Sequence, residues 1–216
     1  MDQIPEPGPR RRYASEVRRA QAERTRAAVL DAGRELITAQ GYARTTMRQV
    51  AERAGVAVET VYLHFRTKPA LLNALLDLAH GTGEQVPVAE RDWVRAVRDQ
   101  PDATHMLDAV ASGLAAVYES HVPLYLAVRS AVDTDLSAAQ LWATRTGERL
   151  AGMASLAEHL TATGETRPGL DHDEMRDLLF TLASPETYGQ LVLDRGWTPA
   201  RYAAWLARTL GQQLLG

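Results

Sequence analysis

Residues 54–65, AGVAVETVYLHF, contain a glycine turn followed by a short helical pattern. In a helix, Val61 and Phe65 share one face at i, i+4 spacing and can be buried together. The opposite face carries Tyr62 beside an aliphatic residue, so it is unusually apolar and aromatic for a surface that meets only solvent. The composition therefore predicts that this outer face contacts another molecule.

A second short helix is predicted just before this stretch. Thr46 and Gln49 have the spacing of a capping box, in which each side chain bonds the other residue's backbone N–H. Two short helices joined by a tight glycine turn, and packed on a longer helix, are typical of a helix-turn-helix motif. The motif covers about residues 46–65, and its second helix is expected to lie in the DNA major groove.

The sequence around this motif resembles the DNA-binding signature of the tetracycline-repressor (TetR) family. The resemblance covers about residues 22–81, and its core is GYARTTMRQVAERAGVAVETVYLHFRTKPALLNAL, residues 41–75. It implies a homodimeric transcriptional repressor that a small-molecule effector releases from a pseudo-palindromic DNA operator. The identity of the effector, the operator sequence, and the choice between repressor and activator stay open.

The residue types and the resemblance together predict the DNA contacts. Hydroxyl and basic side chains suit phosphates, and the aliphatic side chains suit thymine methyl groups. Two positions depart from the family pattern. Ala57 replaces a residue that often caps the recognition helix, and Glu59 brings a carboxylate that suits a cytosine amino group. The predicted contacts are Thr45, Thr46, Arg48, Val58, Glu59, Thr60, Tyr62, Leu63, His64 and Lys68.

The rest of the chain predicts only helices, so the expected fold class is all-α. The expected architecture is a three-helix N-terminal helix-turn-helix domain plus a C-terminal helical bundle for ligand binding and dimerisation. A fourth helix, about 67–80, is expected to link the two. The predicted units are a disordered basic arm (1–15), the DNA-binding domain (16–81) and the ligand-binding and dimerisation domain (82–216). Prolines punctuate the predicted later helices, about 88–98, 102–119, 121–133, 135–163, 171–183, 185–195 and 199–214.

The C-terminal region is expected to bind an effector between its helices and to pair with a second copy. Aromatic, polar and basic residues on the predicted buried helices suggest a pocket. The predicted pocket residues are Trp93, Met106, Tyr118, His121, Tyr125, Arg129, Trp142, Arg145 and Phe180. Arg129 either faces this pocket or pairs with an aspartate or glutamate of the chain. Apolar stripes on the last two helices predict the dimer interface, at Tyr188, Leu191, Val192, Tyr202, Leu206 and Leu210.

Charge and composition agree with these expectations. Residues 1–81 carry 13 Lys+Arg against 9 Asp+Glu, whereas the whole chain has a net charge of −3. The arginines at 10–12 either contact DNA as a flexible arm or form a solvated tail. The sequence has no cysteine, no secretory signal and no apolar run of membrane-spanning length, so a cytoplasmic location without a membrane partner is expected.

No sequence motif points to an enzyme. The chain lacks a phosphate-binding glycine loop, a zinc-protease motif and a nucleophile elbow, so no catalytic residue and no cofactor are expected. Asp171–Glu174 has a metal-like composition, but this order is ordinary at a helix start, and no metal site is expected. A helical scaffold for another protein is the remaining alternative, and it would require a degenerate helix-turn-helix.

Overall fold

The computed structural model describes residues 9–79 and 92–216. Within these ranges the regular structure is helical, apart from one isolated β-bridge between Thr166 and Leu215, which confirms the all-α prediction. None of the described helices is long and apolar enough to cross a membrane. In chain order the helices are α1 (Pro9–Gln40), α2 (Met47–Ala54), α3 (Val58–Phe65), α4 (Lys68–Ala79), α5 (Asp92–Arg98), α6 (Ala103–Arg129), α7 (Leu136–Ala162), α8 (His172–Leu182), α9 (Pro185–Tyr188, continuing as a π-helical segment, Gly189–Asp194) and α10 (Pro199–Leu214).

The first helix begins earlier than predicted. α1 starts at Pro9, so the prediction of disorder is wrong for residues 9–15. Proline is favoured in the first turn of a helix, and the arginine, alanine and glutamate that follow have good helix propensities. Residues 1–8 of the predicted arm lie outside the described residues.

A single long helix, α6, replaces the two helices predicted on either side of residue 120. Pro123 lies inside α6 and removes one backbone hydrogen bond, a change that costs about 3 kcal/mol or more in a helix. Val122 and Leu124 beside it are completely buried. Their burial holds the two halves of α6 in place on both sides of the proline. Local sequence signals cannot reveal this tertiary contribution.

One apolar core holds the helix-turn-helix and extends beyond it. Leu71 and Leu75 of α4 pack with α1, α2 and α3, and a Cβ on Gly33 of α1 would lie 3.2 Å from the Leu71 side chain. The same core includes Leu124 from α6 and Leu141 from α7. The first four helices are therefore packed against the corner between α6 and α7, and the predicted domain boundary at residue 81 stays a prediction.

A second core is formed by residues of α5 to α10. Tyr188 packs edge-on against both Tyr118 and Tyr202. Tyr188, Tyr202, Leu206 and Leu210 are at most 1% exposed. The prediction that these four residues form the dimer interface is wrong, because their side chains are enclosed by this chain's own helices. Of the same predicted set, Leu191 and Val192 are partly buried against this core.

The Leu206→Ala variant tests this correction. Since Leu206 is fully buried, its truncation is expected to lower the free energy of unfolding by about 2–5 kcal/mol. Urea unfolding at fixed protein concentration measures the change. Leu136→Ala, the same substitution at an 85% exposed position of α7, is the matched control and is expected to leave stability nearly unchanged. Unchanged stability of Leu206→Ala with a shift from dimer to monomer would restore the original prediction.

Candidate DNA-binding surface and ligand cavity

Local signals fix where α2 begins and ends. The Thr46 Oγ1 accepts a hydrogen bond from the Gln49 backbone N–H at 3.2 Å, and Gln49 Oε1 accepts from the Thr46 N–H at 2.9 Å, which confirms the predicted capping box. Gly55 ends the helix at φ 68°, in the left-handed region that favours glycine. These two features set the angle at which α3 leaves the turn.

The recognition helix α3 buries one face and exposes the other. Val61 is 0% and Phe65 4% exposed, so both anchor α3 to the core. On the opposite face, Tyr62 is 48% and Leu63 80% exposed, and Glu59 is exposed as well. The outer face of α3, which the sequence predicts to contact another molecule, is therefore not covered by any described residue.

Other predicted DNA contacts lie around this face. Val58, Thr60 and His64 are partly buried at its edges, and Thr46 is exposed where α2 begins. Arg48 is exposed on α2 and forms an ion pair with Glu52 at 3.0 Å. Such an exposed pair contributes little to stability, so the arginine can exchange its partner for a phosphate at small cost.

Thr45 does not have the role predicted for it. Its side chain is 1% exposed, and its hydroxyl donates to the Gly41 carbonyl at 2.9 Å. Its backbone N–H donates to the Tyr42 carbonyl at 3.1 Å. Since both donors are used inside the turn before α2, a direct phosphate contact from Thr45 is excluded in this conformation.

Lys68 is tied down by the protein rather than extended into solvent. Its Nζ donates to the Tyr42 carbonyl at 3.0 Å and lies 4.0 Å from the centroid of the Tyr42 ring. Asp135, which caps the start of α7, is 3.9 Å away. Burial lowers the pKa of Lys68, and nearby Asp135 partly offsets this shift. The lysine thus connects the turn before α2 with the first turns of α4 and α7.

A cavity of about 970 Å³ lies between α4, α5, α6 and α7. Its floor includes Val110 and Leu114 of α6, and its walls are formed by α7 on one side and by α4 and α5 on the other. The volume is in the range of small-molecule binding sites. A cavity between helices of the C-terminal region was expected, although most of its lining residues were not.

Two of the predicted pocket residues, Trp93 and Arg145, line this cavity; the other seven do not. Tyr118, for example, is buried in the second core, where its hydroxyl donates to the Ala183 carbonyl at 2.7 Å. The remaining six residues outside the cavity lining are Met106, His121, Tyr125, Arg129, Trp142 and Phe180. The ring of Tyr125 contacts those of His121 and Trp142. The Arg129 guanidinium lies over the Trp142 ring.

Sequence reasoning missed the polar partners of Arg145. Its guanidinium donates to Asn73 Oδ1 and Asp77 Oδ1 of α4, each at 2.9 Å, and to Glu148 Oε2 of α7 at 3.2 Å. In the sequence, Asp77 interrupts an otherwise apolar stripe on α4, and this interruption was the available sign of a buried polar contact. The sequence left a carboxylate pairing open for Arg129; the structure instead shows such a pairing at Arg145 and places Arg129 over the Trp142 ring.

Comparison with known proteins identifies the family. Residues 29–75 match the family described as bacterial regulatory proteins, tetR family. The chain is 40% identical over 66 residues to the HTH-type transcriptional regulator TtgR of Pseudomonas putida, a match that covers 31% of each protein. It is 35% identical over 95 residues to TtgW of the same species, an uncharacterized HTH-type transcriptional regulator, covering 40% of this chain and 67% of TtgW.

The whole fold is also shared with a solved structure. A SmeT–triclosan complex superimposes with a TM-score of 0.70 at 18% identity, over 89% of this chain and 92% of SmeT. The chain belongs to the TetR family of bacterial regulatory proteins, whose members are regulators of transcription rather than enzymes. The match to TtgR spans only about a third of the length of TtgR. The family match over residues 29–75 contains α2, α3 and most of α4.

The missing cap of α3 gives a stability prediction. Ala57 occupies the N-cap position at φ −68° and ψ 147° and provides no side-chain hydrogen bond. Ala57→Ser supplies an oxygen for the orphan backbone N–H groups and is expected to raise the free energy of unfolding by about 0.5–1 kcal/mol. Urea unfolding provides the measurement. Ala143→Ser, at an exposed non-cap position of α7, should bring no such gain, and an equal gain there would argue against capping.

Proposed function

We propose that this protein is a homodimeric, sequence-specific transcriptional repressor that binds a pseudo-palindromic operator and is released from it by a small molecule. The observation that carries the proposal is the division of α3 into a buried anchor, Val61 and Phe65, and an exposed face around Tyr62 and Leu63. Such a repressor acts on genomic DNA in the bacterial cytoplasm. Residues 16–81 are proposed to form the DNA-binding domain. Residues 82–216 are proposed to bind the ligand and to form the dimer.

The exposed face of α3 is proposed to read bases, and its surroundings to hold phosphates. Glu59 and Leu63 suit a cytosine amino group and a thymine methyl group. Thr46, at the start of α2, is suited to a phosphate because backbone N–H groups gather there. The other proposed contacts are Arg48, Val58, Thr60, Tyr62 and His64. Lys68 is assigned a positioning role through Tyr42, since its ammonium is already bonded inside the protein.

The dimer interface is proposed for the partly exposed sides of α8 and α10. Leu178 and Leu182 of α8, and Trp205 of α10, pack against the second core but are only partly buried within the chain. A second copy related by a twofold axis would cover these apolar side chains. Twofold symmetry then places two recognition helices on one side of the dimer, about 34–36 Å apart for adjacent major grooves.

Effector control is proposed to act through α4. This helix packs against α1 and α3 in the core of the helix-turn-helix and contributes Asn73 and Asp77 to the cavity. An effector that binds better when α4 has shifted favours a conformation with wrongly spaced recognition helices, and DNA is released. The triclosan in the SmeT complex supports small-molecule binding by this fold.

The test is selection of random duplex DNA by the purified protein at two salt concentrations. A palindromic motif is expected, with affinity that falls as salt rises because phosphate contacts release counterions. Tyr62→Ala is expected to reduce binding strongly, since Tyr62 is exposed and does not support the core. Leu136→Ala is the matched control, because Leu136 is 85% exposed at the start of α7, away from α3. No enriched motif with wild-type protein would contradict the proposal.

Lys68→Met tests the positioning role separately. The variant is expected to lose operator affinity while the slope of log affinity against log salt stays that of the wild type, because no phosphate contact is removed. Binding assays over a salt series give this slope. A slope smaller by about one would instead mean that Lys68 itself neutralises a phosphate.

A further inference from the structure

The cavity follows one face of α7 over much of its length. Its α7 lining runs from Ser137 to His159, a distance of about 33 Å at 1.5 Å per residue. The facing wall changes along the way: α4 contributes Pro69, Asn73 and Asp77, whereas α5 contributes Trp93 and its neighbours. The two ends of the cavity are therefore lined by different chemistry.

The end beside α4 holds more negative than positive charge. Asp77 and Glu148 both bind the single guanidinium of Arg145, at 2.9 and 3.2 Å. Asn73, which takes the other contact of Arg145, is neutral. Two carboxylates thus share one cation, and this cluster of Asp77, Arg145 and Glu148 carries a net charge of −1.

Two of the three side chains in this cluster are largely shielded from water. The Arg145 and Asp77 side chains are 17% and 15% exposed, and that of Glu148 is 48% exposed. An unbalanced charge is costly where water is scarce. One additional positive charge beside Glu148 would balance the cluster without breaking the bond between Arg145 and Asp77.

Within residues 9–79 and 92–216, the other basic groups that line the cavity, and Arg149 beside them on α7, do not supply this charge. His159 is 14 residues beyond Arg145, about 21 Å along the helix, which exceeds the screening length in physiological salt. Arg98 is exposed on α5, the helix that forms the other end of the cavity. Arg149 lies 3.5 Å from the centroid of the Phe180 ring and donates to the Phe180 carbonyl, so it is engaged with α8.

The end beside α5 is mostly apolar, although the exposed Arg98 of α5 also lines the cavity. Trp93, Val97, Leu114 and Leu156 line it, and Trp93 is held by close packing on Gly113, where a Cβ would lie 2.8 Å from the indole. This surface suits an aromatic or aliphatic body rather than a second charge. A molecule that fills both ends must therefore be amphipathic.

We propose that the cavity binds an amphipathic monovalent cation, with its charge beside Asp77 and Glu148 and its apolar body against Trp93 and Leu156. This assignment rests on the proposed function, in which the same cavity holds the effector. It names the chemical class of that effector: a lipophilic cation in preference to a neutral or anionic molecule of the same shape.

Tetraphenylphosphonium and tetraphenylborate test the assignment, because they have nearly the same shape and opposite charges. Isothermal titration of the full chain with each ion measures both affinities. Tetraphenylphosphonium is expected to bind at least about tenfold more tightly, as for a charge that gains partners in a desolvated site. Glu148→Gln and Asp77→Asn are each expected to weaken its binding by about tenfold, and neither should weaken tetraphenylborate.

Glu158→Gln is the matched control, since Glu158 is exposed on α7 outside the cavity lining and should leave both affinities unchanged. Thermal unfolding checks that each variant folds. Glu148 is half-exposed, so Glu148→Gln decides the matter even if Asp77→Asn fails to fold. Equal affinity for the two ions, or binding of the cation that ignores Glu148→Gln, overturns the assignment.

The two proposals fail in distinguishable ways. A chain that selects an operator from random DNA but shows no cation preference keeps the proposed function and loses the ligand class. A chain that prefers the cation through Glu148 but selects no operator keeps the ligand site and loses the proposed function.

Discussion

The position of the recognition helix depends on one shared apolar core. α2 and α3 have eight residues each, too few to be stable alone in water, so packing must hold them. Val61 and Phe65 attach α3 to a core that includes α1 and α4. Leu124 of α6 and Leu141 of α7 belong to the same core. The surface proposed to contact DNA is therefore supported by packing against α6 and α7.

This shared core links the cavity to the helix-turn-helix through short physical paths. α7 lines the cavity and is bound to α4 by two charged contacts, Asp135 with Lys68 and Arg145 with Asp77. Both contacts are mostly shielded from solvent, so they resist screening by salt. A ligand that moves α7 must therefore move α4 or break one of these contacts, and α4 carries leucines into the core beneath α3.

Sequence reasoning succeeded where the signals are local. The capping box at Thr46 and the glycine turn at Gly55 specify backbone conformations over a few residues, and both were found in place. Sequence reasoning failed where the structure depends on which helices pack against each other. The stripe Tyr202, Leu206 and Leu210 shows that α10 has an apolar face, but the partner, α6 of the same chain, is set by tertiary packing.

The same limit explains the cavity. α6 is buried over most of its circumference, so sequence cannot show which of its faces borders a cavity and which enters a core. Tyr118 and Tyr125 therefore looked like pocket residues although they lie in packed regions. The polar contacts of Arg145 with α4 join residues about 70 positions apart, and no short-range pattern encodes such a pairing.

The central claim is that α3 enters the major groove of DNA from each half of a twofold dimer. Dimethyl sulfate protection of a selected duplex tests it directly, because this reagent methylates guanine N7 in the major groove and adenine N3 in the minor groove. We expect protected guanines in two symmetric clusters whose centres lie about 10 base pairs, or a multiple, apart. Protection confined to adenine N3, or a single unsymmetric cluster, would contradict the account.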